Sequence, residues 1–208
     1  MKKSPLLLTA ILVASATHVS AQESNFSYSY LEISADALVF DDDIHVGNVR
    51  YSGVAGASVS GSLQFSDNVF VRLGGSYLSN DGHDTELSNS VGGLGLGAAF
   101  ANGDATDLIV QAGMVTSEAE VCVRSGLCYK EDETGLALGA GVRHMATENF
   151  EIGGGISYAD LGDFGDGVAV SVRGAWWFNE SASLFLGTSL NDNSDVGVEF
   201  GFRYSFVR

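Results

Sequence analysis

The chain has 208 residues, 45% of them hydrophobic and 17% charged, and its 26 acidic against 10 basic residues give a formal net charge of −16. So acidic a chain repels phosphate backbones, which sets nucleic acid aside as a partner. Beyond residue 21 no stretch is long and apolar enough to cross a membrane as a helix, so only strands closed into a barrel could span one.

The chain opens with Met1, Lys2 and Lys3, a short apolar stretch from Leu6 to Ala14, and small residues at Val19-Ser20-Ala21. This is the pattern of a secretory leader. Residues 1–21 are therefore expected to be removed, leaving 22–208 as one domain of an exported protein. No cysteine follows the cleavage site, which argues against a lipid-anchored N-terminus. The only proline, Pro5, lies in the leader, so no strand after it loses a ladder hydrogen bond to proline.

Read with a period of two, the remainder gives ten alternating segments bounded by turn-forming residues. The first, around Phe26 to Ala37, is the least regular and its register is open. In the second, Tyr51, Ala55, Ala57, Val59, Leu63 and Phe65 oppose Ser58, Ser60, Ser62 and Gln64. In the third, Val69, Val71, Leu73 and Tyr77 oppose Phe70, Arg72, Gly74 and Ser76. The fourth sets Leu94, Leu96, Ala98 and Phe100 against Gly93, Gly95 and Gly97, and the fifth Leu108, Val110, Ala112 and Met114 against Gln111 and Gly113. Leu136, Leu138 and Val142 mark the sixth, Phe150, Ile152, Ile156 and Tyr158 the seventh. Val168, Val170, Val172, Trp176 and Phe178 mark the eighth, Leu184, Leu186 and Leu190 the ninth. Val196, Val198, Phe200, Phe202, Tyr204 and Phe206 close the tenth.

Connections alternate in length. Ser66 to Asn68, Ala101 to Ala105, Ala146 to Asn149 and Asn179 to Ser181 read as tight turns. Asp41 to Asn48, Ser79 to Asn89, Glu118 to Asp132, Asp160 to Gly167 and Asn191 to Asp195 read as longer acidic loops. The polar faces hold glycine, serine and alanine instead of the lysine and glutamate of a soluble surface; the only lysine after the leader is Lys130. Phe65, Phe100, Phe150, Phe178 and Phe206 fall at the short-turn ends of apolar faces, and Tyr51, Tyr77 and Tyr158 at the long-loop ends, as two membrane interfaces select. The expected fold is all-β: a closed antiparallel up-and-down transmembrane β-barrel of ten strands. Eight strands would result if the first and another weak segment stayed unpaired.

This pattern resembles the small bacterial outer-membrane β-barrel proteins of the OmpA and OmpX type across nearly all of residues 22–208. The resemblance implies residence in the outer membrane, contact with its lipid and lipopolysaccharide, and a monomeric state. The closing strand looks like the signal that the barrel-assembly machinery recognises in that family, carried here by Phe200, Phe202, Tyr204 and Phe206. The family usually ends on an aromatic residue, whereas Val207 and Arg208 follow here.

Candidate chemistry is sparse. Gly93-Leu94-Gly95-Leu96-Gly97 and Gly153-Gly154-Gly155 have the glycine content of phosphate-cradling loops, but no helix follows either. They read as small lumen-facing or close-packing positions, Gly95 among them as one that should tolerate serine. The histidine in Asp81-Gly82-His83-Asp84 could serve as a general base, although solvated loops have the same composition. His45 lies in a loop and His144 beside a short turn. The acidic loops could gather divalent cations that bridge lipopolysaccharide phosphates, but none has EF-hand spacing, so no dedicated metal site and no cofactor is expected. Cys122 and Cys128, the only cysteines, are expected to form a disulfide in the third long loop, with a free thiol as the alternative.

Inward positions predict two layers in the lumen. Phe70, Ile109, Trp177 and Phe185 should form an aromatic constriction near the short turns. Above it Arg72, Gln111, Arg143, Glu151, Arg173, Glu199 and Arg203, with Glu32 from the first segment, should form a charge network. Glycines and serines above that would leave a lumen open to the outside. The functional expectation is a non-enzymatic structural or surface-interaction protein acting through acidic extracellular loops. A narrow passive channel and an outer-membrane enzyme are the alternatives.

Overall fold

The computed structural model describes residues 24–46, 49–82, 85–123 and 126–206. The leader expected over residues 1–21 lies outside them. Alternation carried by valine, isoleucine, leucine and aromatic residues favours strands, and ten form among the described residues. They are β1 (Tyr30–Val46), β2 (Val49–Gln64), β3 (Val69–Asp81), β4 (Thr85–Ala101), β5 (Thr106–Val123), β6 (Leu127–Thr147), β7 (Phe150–Asp160), β8 (Asp166–Trp177), β9 (Ala182–Asn191) and β10 (Val196–Ser205). Each pairs antiparallel with its sequence neighbours, and β1 closes on β10 through pairs such as Ile33 with Phe202. Closure leaves no sheet edge around the barrel wall.

The period of two fixes what faces out. Leu31, Leu73, Leu94, Leu96, Met114, Leu136, Leu186 and Phe200 are among the exposed outward residues. Phe65, Phe100, Phe178 and Phe206 are exposed at the short-turn end, and Tyr77 and Tyr158 at the other. So much apolar area would cost roughly 25 cal/mol per Å² in water, and hydrocarbon removes that cost.

The expected tight turns fall where the structure turns. Gly103, in the second of them, takes a φ of 83°, the left-handed region that disfavours a side chain. The long loops need correction. Much of Asp41 to Asn48, Ser79 to Asn89 and Glu118 to Asp132 is strand, because alternation continues through residues whose acidity suggested a loop. Val121 pairs with Tyr129, Cys122 with Cys128 and Glu120 with Lys130. Of Asp160 to Gly167, only residues 161–165 leave the ladder, passing through a one-turn 3-10 helix at Gly162–Phe164, while Asp160 pairs with Asp166.

Strand lengths make the barrel lopsided. A tilted spanning strand needs about 9–11 residues; β8, β9 and β10 have 12, 10 and 10, whereas β4, β5 and β6 have 17, 18 and 21. The surplus stands up at the long-hairpin end as a sheet that rises past β7. The β6–β7 ladder begins only at Leu136 with Asp160.

Tyr51 is a further correction. It was expected in the outward girdle but is 1% exposed. The β1–β2 register shifts between Val39 and Ile44, and such a bulge re-aims neighbouring side chains. Tyr51 packs with Val54 and Leu87, against Leu38, Phe40, Leu78 and Val121, and its hydroxyl donates to the Thr85 carbonyl at 2.7 Å. The lumen expected to open outward thus has an apolar cluster at its tall end.

Candidate functional site: the barrel lumen

The lower layer is built by inward positions at the short-turn ends of the strands. Phe70, Trp177 and Phe185 are buried, and Ile109 packs against Phe70 and Ala99. The Phe70 ring lies where a Cβ on Gly97 would stand, which is why that position carries glycine. Two further aromatic residues complete the floor, Phe26 and Tyr28, from the chain ahead of β1. The Tyr28 ring stacks on Phe70 with centroids 4.6 Å apart.

Directly above, seven of the eight expected polar residues meet. Arg143 grips Glu151 with two bonds, Nε to Oε1 at 2.8 Å and a terminal nitrogen to Oε2 at 2.9 Å. Arg173 holds Glu199 in the same way, both bonds 2.8 Å, and gives a third to Glu32 at 2.8 Å. Arg203 donates to Glu32 at 2.6 Å and reaches Glu151 at 3.5 Å, joining the two pairs into one chain. Ser60 and Trp177 add donors to Glu32 and Glu151. Such paired, bidentate geometry is what offsets the desolvation of buried charge.

Aromatic faces cover the guanidinium groups. Arg143 lies 4.4 Å from the Phe26 centroid, Arg173 4.2 Å from Phe185 and Arg203 4.7 Å from Tyr30, contacts favoured by the ring quadrupole. Arg72 is the looser member, 3.9 Å from Glu32 and with its side chain 40% exposed. Gln111 lines the space beside the network, its amide over Gly139.

Two spaces adjoin the network and share Arg72, Gln111, Arg173 and Glu199 along their border. The upper cavity, of about 460 Å³, is walled by Ser34, Asp36, Ser58, Ser60, Gly74 and Arg72, among others. The lower one, of about 260 Å³, reaches down to Tyr28 and Ile109 and runs past Arg143 and Glu151 to Ser171.

Several contributors were missed from sequence. Asp107 is fully buried and binds Ser24, Asn25 and Tyr28. Its signal was available, since it takes the inward position beside outward Leu108. Phe26, Tyr28 and Tyr30 continue the parity of inward Glu32, a pattern that the open register of the first segment hid.

The other candidates do not assemble. His45 Nδ1 lies 3.1 Å from the Asp43 carbonyl, and His144 Nδ1 lies 2.9 Å from Thr106 Oγ1. His83 and Asp84 lie outside the described residues. Cys122 and Cys128 are joined by a disulfide with Cα atoms 4.1 Å apart. It crosses the β5–β6 ladder at its last pairs and closes the hairpin tip. Glu120 approaches both sulfurs, but their bond leaves a lone carboxylate rather than a metal-ligand set. Beside it the Glu118 carboxylate bonds Lys130 at 2.6 Å and holds its ammonium above the ordinary lysine value.

Solved structures show the same architecture at low identity. The NanC porin aligns at 4% identity with a TM-score of 0.53, covering 85% of this chain and 100% of that one. The outer-membrane protease OmpT of Escherichia coli aligns at 11% with a TM-score of 0.52, covering 86% and 94%. Ail, the attachment invasion locus protein of Yersinia pestis, aligns at 15% with a TM-score of 0.45, covering 86% and 100%. The likenesses to NanC and OmpT speak to fold alone. No curated protein matches the chain. Residues 6–175 match the family described as the outer membrane protein β-barrel domain, so the chain belongs to that family of bacterial outer-membrane barrels.

Proposed function

We propose that the barrel is a membrane anchor for a surface-interaction sheet, with lipid and lipopolysaccharide around its apolar belt. The observation that carries this is the β5–β6 hairpin. In outer-membrane barrels the short turns face the periplasm, so the tall end faces outward. Beyond Leu136 the β6 strand runs on to Leu127 with β5 on one side and no β7 partner on the other. That edge presents unpaired backbone groups, the feature by which extended peptides add to sheets. Leu127 and Tyr129 are 73% and 66% exposed along it, the disulfide fixes its tip, and Glu118, Glu120, Glu131 and Asp132 favour an extended partner segment bearing lysine or arginine.

The test compares the native protein in nanodiscs with one whose residues 119–131 are replaced by an Asn-Gly turn, against extended lysine-bearing and glutamate-bearing peptides. Salt-sensitive binding of the basic peptides by the native protein alone supports the reading. Equal binding by both proteins refutes it. The second reading, a narrow passive channel, draws its support from the two adjoining cavities in the lumen.

A further inference from the structure

The β1 strand starts at Tyr30, paired on both sides with Ser205 and Ser62. Ser29 still touches the wall, its carbonyl accepting the Phe206 N–H at 2.9 Å, yet the residues before it leave the wall. They cross the mouth. Ser24 and Asn25 arrive at Asp107 on β5, four strands away around the barrel. Asp107 receives the Ser24 hydroxyl, the Asn25 backbone N–H at 3.0 Å, the Asn25 amide at 3.1 Å and the Tyr28 hydroxyl at 3.2 Å. The Asn25 amide also donates to the carbonyls of Gly103 and Thr106, at 2.9 and 3.0 Å. Arg143 lies over both the Phe26 and Tyr28 rings, and its guanidinium reaches the Ser27 carbonyl at 3.5 Å.

A buried carboxylate needs donors. For Asp107 those come from the crossing segment rather than from the barrel wall, whereas the central arginines and glutamates satisfy one another. Asp107 therefore behaves as a receptor for the segment. Tyr28 at the same time forms one wall of the lower cavity.

We infer that Ser24–Ser29 is a stopper, a piece of the chain bound in the periplasmic mouth as an intramolecular ligand of Asp107, which closes the lower cavity to the periplasm and opens it on leaving. At its β1 end the segment is held by the Phe206 N–H donating to the Ser29 carbonyl at 2.9 Å and by Gln64, whose Oε1 accepts the Tyr28 N–H at 3.0 Å and whose N–H donates to Ser29 Oγ at 3.1 Å; ahead of that its attachments are side-chain bonds and ring contacts, so it can open locally while the strands stay closed. The inference is independent of any partner at the outer sheet.

The test uses the full chain in proteoliposomes with Ser171→Cys as reporter. Ser171 lines the lower cavity, and the native cysteines are spent in their disulfide. A membrane-impermeant thiosulfonate is supplied only on the periplasmic side. Asp107→Ala is expected to speed labelling about tenfold or more, the scale of one lost charge-assisted hydrogen bond. Ser24→Ala with Asn25→Ala, which leaves the wall intact, should do the same and decides the matter if Asp107→Ala does not fold. A synthetic peptide of residues 22–29 should slow labelling again in the Ser24/Asn25 variant. An unchanged labelling rate in the folded Ser24/Asn25 variant overturns the inference, as does acceleration that the peptide leaves untouched.

Discussion

Replacing Glu151 with alanine strips the deepest ion pair from one side. Arg143 loses both of its bonds to that carboxylate, Arg203 loses its longer contact, and the Trp177 indole loses an acceptor. Removing one partner of a buried pair typically costs about 3–5 kcal/mol, because the surviving charge stays desolvated. Here Arg143 is 9% exposed at its side chain and lies against the rings of Phe26 and Tyr28. The adjoining lower cavity has room for water, which places the expected loss near 3 kcal/mol. Removing both charges together, as Glu151→Leu with Arg143→Met, should cost clearly less than Glu151→Ala, since no orphan charge remains. The assay is reversible urea unfolding in phospholipid vesicles, followed by tryptophan fluorescence and by heat-modifiable gel mobility. Equal losses for the single and double replacements, or a loss under about 1 kcal/mol for the single one, would show that the network is hydrated and contributes little.

Leu96→Arg places a charge on the outward face at mid-strand and should impair insertion, at about 2–4 kcal/mol near the midplane; Gly93→Ser, whose added Cβ meets only ordinary contact at 3.4 Å, should insert like the native chain, and equal insertion of the two would reverse the assigned faces. Thiol titration of the unreduced, denatured protein should find no free cysteine, and Cys122→Ser with Cys128→Ser should speed amide exchange in the β5–β6 hairpin without changing it in β8 to β10; two reactive thiols would contradict the bridge. Phe70→Ala combined with Trp177→Ala thins the aromatic floor and should raise single-channel conductance, whereas an unchanged trace would mean that the narrowest point lies elsewhere.

Alternation made most of the wall legible, because a one-residue error in register would turn charges such as Arg173 and Glu199 toward lipid. The same parity turns the network residues into the lumen together. What composition hid was height. Glu118, Glu120, Glu131 and Asp132 looked like loop residues, yet exposed hairpin strands tolerate acids on both faces when the backbone is paired. Tyr51 was misplaced because a bulge cannot be read from a period. Gly95 was misread for a related reason: a Cβ there would lie 2.9 Å from the Ala112 carbonyl oxygen, so the glycine serves close strand packing and a serine would strain it. The crossing segment was hardest to foresee. Phe26 and Tyr28 keep the inward parity of Glu32, but their crossing of the mouth depends on Asp107 and Arg143 on distant strands, which parity does not encode.

A lumen closed by its own side chains should pass little current, and single-channel recording of the refolded native protein in a planar bilayer measures that current. Small, intermittent conductance is expected, set by the Arg143–Glu151 and Arg203–Glu32 bonds and the aromatic floor. A large and steady conductance would contradict it and make the passive channel the better reading.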